Sequence, residues 1–188
     1  MQKESIIQFT GFITQLDFQP FLKSWETYSR QFNNMDETTL LQQDDAGKPK
    51  YKFISRQVHD QLDFSFRFMK GRTAEHFAEQ KVKVVQVGGY IPLQIGCPLP
   101  AESTDSKIVA FVSHDEIDLD FFRELSNYRY LNIFQAYYES CTYGHILEFF
   151  SKPSEASELL LQLKTRPGIE AALFKECPLP FHRTVKAR

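Results

Sequence analysis

Residues 154–180 read SEASELLLQLKTRPGIEAALFKECPLP and carry the signals of a helix, a turn and a strand in succession. Leucines at helical spacing after Ser154, a good N-cap residue, predict a helix over residues 154–165. Pro167-Gly168 then marks a turn, and residues 169–177 are predicted to form a strand. The segment ends with the tetrapeptide CPLP at residues 177–180.

The same tetrapeptide occurs twice, at residues 97–100 and, 80 positions later, at residues 177–180. A predicted hairpin with strands over residues 131–140 and 145–151 precedes the second copy and its helix. Before the first copy, Leu and Phe alternate with polar residues over residues 62–68, which is the period-2 pattern of a half-buried strand. The sequence therefore indicates an internal repeat.

Each half also begins with a predicted strand and helix. In the first half the strand covers residues 6–14, and a helix over residues 18–32 follows Asp17, its N-cap residue. In the second half the strand covers residues 107–113, and Asp118 caps the helix after it. Each half is thus predicted to follow the order β-α-β-β-α-β, which is that of a ferredoxin-like unit.

We therefore predict an α+β protein of two tandem ferredoxin-like units, packed as an intramolecular pseudo-dimer whose antiparallel sheets close a barrel or form a sandwich. A lone unit has helices on one face of its sheet only, so the other face has to be buried against a second sheet. The predicted boundaries are 1–97 for the first unit, 98–106 for a linker rich in Pro, Ser and Asp, 107–180 for the second unit and 181–188 for a C-terminal tail.

The middle of the first half admits two interpretations. In the favoured one, residues 51–55 and 62–68 are strands joined by a turn at His59-Asp60-Gln61, and a helix over residues 73–80 precedes a last strand over residues 90–95.

In the second interpretation, residues 38–43 and 50–56 form the hairpin, residues 59–69 the second helix and residues 82–90 the last strand. It gives the valines of residues 82–87 a strand, which suits β-branched side chains. Both interpretations give the same fold class.

The composition excludes several classes of protein. Of the 188 residues, 42% are hydrophobic and 24% are charged, which is typical of a globular chain and not of a disordered one. The net charge of -2 argues against nucleic acid as a partner. No apolar run is long enough for a membrane span, and the N-terminus lacks the apolar core of a signal peptide, so a cytoplasmic protein is expected.

Neither metal ions nor cofactors are predicted. Cys97, Cys141 and Cys177 are far apart and form no CxxC pair, so we expect unpaired thiols and no zinc site. The chain also has no phosphate-binding loop, no dinucleotide-binding glycine motif, no GxSxG and no HExxH.

Element order and two segments, FLKSWETY at residues 21–28 and YKFISR at residues 51–56, resemble the dimeric α/β-barrel superfamily, which includes antibiotic-biosynthesis-type monooxygenases and haem-degrading relatives. The resemblance implies a ligand in the cavity between sheet and helices. Haem-degrading members carry an Asn on the first strand, a late Trp and a His on the second helix. Here His76 matches the last of these, but the first strand offers Gln8 and no Trp follows Trp25, so haem is not expected.

Two histidines are the candidate catalytic residues. His59 lies beside Asp60, and a carboxylate can orient an imidazole for acid–base work, although a solvated turn is the more common use of such residues. His76 follows Glu75 on a short predicted helix and is a candidate ligand or proton shuttle, or else a half-exposed helical residue.

Three residues are the candidate ligand-binding set. Trp25 and Tyr28 lie three apart on one helix, where they would line a pocket or pack in the core. Arg56 lies in a strand among apolar residues. If it points inward it would hold an anion, whereas an outward surface charge is the default. The ligand site is predicted in the first half, between the sheet and this helix.

The function predicted from these observations is small-molecule binding, extended by the resemblance to a cofactor-independent monooxygenase or isomerase acting on an aromatic or polyketide-like compound. The alternative is a non-catalytic interaction or regulatory module that binds a protein partner. Whether the chain is an enzyme stays open at this point, as does a homodimer.

Overall fold

Eight strands and three helices are fully described in the computed structural model, which describes residues 6–29, 38–44, 50–59, 72–96, 106–114, 121, 124, 130–177 and 179. The strands are β1 (Ile6–Thr14), β2 (Thr38–Gln43), β3 (Phe53–His59), β4 (Val82–Gln94), β5 (Ser106–Val112), β6 (Leu131–Ala136), β7 (His145–Phe150) and β8 (Ile169–Glu176). The helices are α1 (Phe18–Ser29), α2 (Arg72–Glu79) and α3 (Pro153–Lys164). None of these three helices is long and apolar enough to cross a membrane.

The strands close into one antiparallel barrel in the order β1-β3-β2-β8-β5-β7-β6-β4, with β4 returning to β1. The long strand β4 makes the closure, since it pairs with β1 up to Tyr90 and with β6 from Tyr90 to Gln94. A register shift between Phe9 and Thr10 interrupts its ladder with β1. Closure leaves each of the eight strands with two hydrogen-bonded neighbours and so removes the sheet edges.

Alternation along the strands separates the barrel interior from its outer face. On β3, Ile54 belongs to the interior cluster, whereas Phe53 belongs to a cluster outside. The interior cluster contains the buried side chains Ile7, Phe9, Leu41, Tyr51, Ile54, Val87, Tyr90, Val109, Phe111, Phe134, Cys141, Tyr143, Ile146 and Phe174. Four phenylalanines and three tyrosines are among them, so aromatic rings fill much of the barrel.

Two further cores lie outside the barrel, where helices cover it. Phe21, Leu22 and Trp25 of α1 and Phe77 of α2 pack with outward-facing residues of the first half. The rings of Phe21 and Phe53 stack with centroids 4.0 Å apart. On the second half, residues of α3 pack on the outer faces of β5, β6, β7 and β8.

The prediction of two tandem ferredoxin-like units is wrong for the described chain. The protein is mostly β, and its eight strands form a single closed antiparallel barrel, with each half supplying four neighbours, β4-β1-β3-β2 and β8-β5-β7-β6. Strands of the two halves hydrogen-bond directly, since β2 pairs with β8 and β4 pairs with β6. No complete helix is described between β5 and β6, so the described elements do not repeat a βαββαβ pattern. The predicted domain boundaries stay predictions.

Each interpretation of the first half is right in part. The hairpin is that of the second interpretation, because β2 pairs with β3 from Thr38 opposite Gln57 to Gln42 opposite Phe53. The last strand of the second interpretation, residues 82–90, is also confirmed, because it lies within β4. The helix over residues 73–80 belongs to the favoured interpretation and is confirmed in α2. The Phe alternation over residues 62–68 lies outside the described residues.

The N-cap residue of helix α3 lies two positions before the one predicted from the sequence. Its N-cap residue is Lys152, and Pro153 lies in the first turn, so the prediction that Ser154 is the N-cap is wrong. Proline suits this position because its missing N–H would have no helical partner there.

Candidate functional site

One end of the barrel interior is polar. We call it the polar end and define it by the inward-facing side chains of Thr39, Arg56, Lys107, Asn132, Glu148 and Glu176. The strand pairings place these residues toward the same end of the barrel: Arg56 is opposite Thr39, Glu148 is opposite Asn132, and Glu176 is opposite Leu41 of the interior cluster. Antiparallel strands thus bring the ends of β3, β7 and β8 and the starts of β2, β5 and β6 together.

The inward position of Glu148 follows from the local sequence. Strand β7 has the sequence HILEFF, in which Ile146 joins the interior cluster and Leu147 and Phe149 join the outer one. The period of two then fixes Glu148 on the interior face. Packing of the apolar neighbours on the outer face keeps a carboxylate inside the barrel, where it needs partners to offset the loss of water.

An ion pair crosses the barrel lumen at this end. Arg56 on β3 and Glu148 on β7 lie four strands apart around the eight-stranded barrel, and Arg56 Nη1 donates to Glu148 Oε2 at 2.7 Å. The second terminal nitrogen of Arg56 donates to Thr39 Oγ1 at 3.3 Å. The default prediction of an outward-pointing Arg56 is therefore wrong, because its partner is a buried carboxylate on the opposite wall.

The side chain of Asn132 holds Glu148 from a neighbouring strand. Its Nδ2 donates to Glu148 Oε2 at 2.9 Å, while its Oδ1 accepts from the backbone N–H of Gly96 at 2.9 Å. The backbone donor fixes which way the amide is turned, because the oxygen has to face Gly96. Glu148 Oε2 therefore accepts two hydrogen bonds.

The other carboxylate oxygen of Glu148 has no hydrogen-bond partner among the described residues. Oε1 is fully buried, the whole residue is 0% exposed, and no donor in the described part of the chain reaches this atom. Leaving a buried acceptor unsatisfied costs about 1–3 kcal/mol, and more when the group is charged. Such an atom is unusual in a folded protein and requires a donor from outside the described residues, a water or a ligand.

A second ion pair lies beside the first. Lys107 Nζ donates to Glu176 Oε2 at 2.8 Å and lies 5.2 Å from the centre of the Phe150 ring. Lys107 is nearly buried, whereas the Glu176 side chain is partly exposed. The polar end thus carries two cations and two anions, and each charge has an opposite partner.

The opposite end of the barrel carries a hydrogen-bonded cluster of its own, which we call the tyrosine end: Lys50, Tyr51, Tyr143 and Glu170. Lys50 Nζ donates to the Tyr143 hydroxyl and also to Glu170 Oε1 at 3.1 Å. The hydroxyls of Tyr51 and Tyr143 lie 3.4 Å apart. Burial raises the pKa of Tyr143 to about 12 and raises the pKa of Tyr51 above its ordinary value, so both phenols are protonated at neutral pH.

Aromatic side chains separate the two ends. The ring of Phe9 meets those of Tyr90 and Phe134 edge to face, with centroids 5.5 and 5.3 Å apart, and Arg56 is opposite Phe9 in the sheet. Gly11 makes room for Tyr51, since a Cβ at this glycine would lie 2.4 Å from the ring. The middle of the barrel is therefore packed with side chains, and its polar groups lie at the two ends.

The structure does not bring the predicted ligand-binding residues together. Trp25 is 1% exposed and packs outside the barrel beneath α1, whereas Arg56 lies on the inner face of the sheet. The backbone of Tyr28, His59 and His76 is described, but their side chains lie outside the described part of the chain. The roles predicted for these four residues and for Arg56 stay predictions.

Sequence reasoning missed most of the polar end. Glu148, Asn132, Lys107 and Glu176 were not among the candidates, although Glu148 stands in an otherwise apolar strand at an inward position of the alternation. A charged residue on the apolar phase of a strand is a signal that could have identified it.

Cys141 and Cys177 are buried free thiols, as predicted, and Cys97 lies outside the described residues. Burial raises the pKa of Cys177 to about 11. Within the described ranges, no group of three or more His, Cys, Asp or Glu side chains is arranged to hold a metal ion.

Comparison of the sequence with family models and with the curated proteins finds no match to either. The resemblance to the dimeric α/β-barrel superfamily therefore stays a prediction.

Proposed function

We propose that the protein binds a small molecule at the polar end of its barrel, where the molecule donates a hydrogen bond to Glu148 Oε1. The observation that carries the proposal is this fully buried carboxylate oxygen without a donor. Arg56 and Asn132 already hold the other oxygen, so the carboxylate is fixed in position before a ligand arrives. Preorganised polar groups of this kind favour binding because little side-chain conformational entropy is lost when the ligand binds.

The polar end is partly exposed to solvent around the buried carboxylate. The side chain of Arg56, which contacts Glu148, is 22% exposed, and that of Glu176 at the same end is 42% exposed. The packed aromatic middle favours a ligand that binds at the end over one that fills the barrel. A reaction on an aromatic or polyketide-like compound, which the family resemblance implies, would use the same site if that compound presents a donor to Glu148.

Protein-observed NMR with small amides, alcohols and amines tests this proposal. We expect shifts confined to β3, β6 and β7 around Glu148, and we expect Glu148→Gln to abolish or strongly weaken them. Glu170→Gln is the matched control, because it removes a carboxylate of the same barrel at the tyrosine end. If no member of the three classes perturbs this end, the partner of Oε1 is a water and the proposal is wrong.

A second candidate function is protein interaction. It is favoured by Leu93 and Ile95, which are 55% and 64% exposed near the end of β4. Exposed large apolar side chains two positions apart are a common feature of contact surfaces. Sedimentation velocity over a range of concentrations tests self-association: a dimer that Leu93→Ser and Ile95→Ser both weaken supports this candidate, and a concentration-independent monomer removes the homodimer.

A further inference from the structure

The charge balance of the polar end restricts the class of ligand. The Arg56–Glu148 pair is electrically neutral, and so is the Lys107–Glu176 pair beside it. An ammonium bound to Glu148 would leave a net positive charge next to a residue that is 0% exposed, and an anion bound to Arg56 would leave a net negative one. Burying an uncompensated charge costs several kcal/mol, whereas a neutral ligand carries no such cost.

Arg56 has hydrogen-bond donors to spare. A guanidinium has five N–H donors, and two terminal nitrogens of Arg56 each donate once, to Glu148 and to Thr39. The remaining donors have no acceptor among the described residues. A ligand that reaches Glu148 Oε1 therefore meets an unused acceptor, and the guanidinium that holds Oε2 of the same carboxylate at 2.7 Å has unused donors.

From this arrangement we propose that the ligand is a neutral molecule that presents an N–H donor beside a C=O acceptor, as a carboxamide or lactam does. The N–H would donate to Glu148 Oε1, and the C=O would accept from Arg56. The carboxylate and the guanidinium are both planar, and an amide edge matches them with two roughly parallel hydrogen bonds. This inference rests on the proposed function and specifies the class of ligand for the same site.

Four ring compounds of similar size test the inference. 2-Pyridone is neutral and has the N–H beside the C=O. N-methyl-2-pyridone lacks the donor, benzamidine is a cation and benzoate is an anion. We expect 2-pyridone to bind at least about tenfold more tightly than each of the others. The N-methyl compound lacks a hydrogen bond to a charged group, which is worth that much or more, and the two ions would leave an uncompensated charge beside the buried pair.

Variants of the chain add a second test. Glu148→Gln should weaken binding of 2-pyridone by about tenfold or more, whereas Glu170→Gln, which removes a carboxylate at the tyrosine end, should change it by less than about twofold. The comparison of 2-pyridone with its N-methyl derivative uses the unaltered protein, so it stays informative if Glu148→Gln does not fold.

Two results overturn the inference in different ways. If benzamidine binds more tightly than 2-pyridone and its binding depends on Glu148, the ligand class is wrong but the small-molecule site stands. If none of the four compounds perturbs the polar end in NMR spectra, both the ligand class and the proposed function fail.

Discussion

Replacing Arg56 with Met should destabilise the protein more than replacing both members of its ion pair. Glu148 is 0% exposed, and without Arg56 the side chain of Asn132 is the donor that remains to its carboxylate among the described residues. Breaking a buried pair by removing one partner costs about 3–5 kcal/mol, because the other charge is left uncompensated. Since the Arg56 side chain is 22% exposed, water can replace part of its contact, and we expect the lower end of this range.

The double variant Arg56→Met/Glu148→Gln should recover part of that loss. It removes both charges of the pair, and a glutamine at this position still offers a carbonyl oxygen to Asn132 Nδ2. The coupling between the two substitutions, taken from urea unfolding of the unaltered protein, both single variants and the double variant, should then be about 1–3 kcal/mol. If both single variants lie within about 0.5 kcal/mol of the unaltered protein and add up, the ion pair does not cross the lumen as described.

Three other measurements follow from the structure. Gly11→Ala should cost about 1–3 kcal/mol and lower Tm by several degrees, because its Cβ would lie 2.4 Å from the buried Tyr51 ring, and an unchanged Tm contradicts this packing. Burial lowers the pKa of His145 below its ordinary 6.5, so the unfolded chain takes up the proton first and stability should fall as pH drops below about 6.5. A His145→Gln variant should lose less stability over that range than the unaltered protein, and an equal loss would refute the assignment. Cys177, whose pKa is raised to about 11 by burial, should react with a thiol reagent much more slowly at pH 8 in the folded protein than in urea, and equal rates would show that it is exposed.

Local sequence patterns predicted most of the strands. Strand β1 has the bounds expected from its apolar residues, and β7 and β8 begin where the period-2 pattern begins. The hairpin of β2 and β3 was the hardest to predict, because TTLLQQ carries fewer large apolar side chains than the Phe-rich segment at residues 62–68. Propensity favoured the stronger pattern, whereas pairing with β3 and β8 places residues 38–43 in the barrel.

Closure of the barrel could not be predicted from local patterns. The pairs β2–β8 and β4–β6 join segments that are far apart in the chain, and nothing in either strand specifies its partner. The same holds for the site. Arg56 and Glu148 are 92 positions apart, and each on its own suggests an ordinary charge on a strand. Their contact exists because the closed barrel places β3 and β7 on opposite walls.

A crystal structure of the protein soaked with 2-pyridone would show where the ligand binds. We expect the ring at the polar end, with its nitrogen about 3 Å from Glu148 Oε1 and its oxygen within hydrogen-bond distance of Arg56. A ring bound at the tyrosine end or beside Trp25, or a water on Oε1 with no ligand at the polar end, would contradict it.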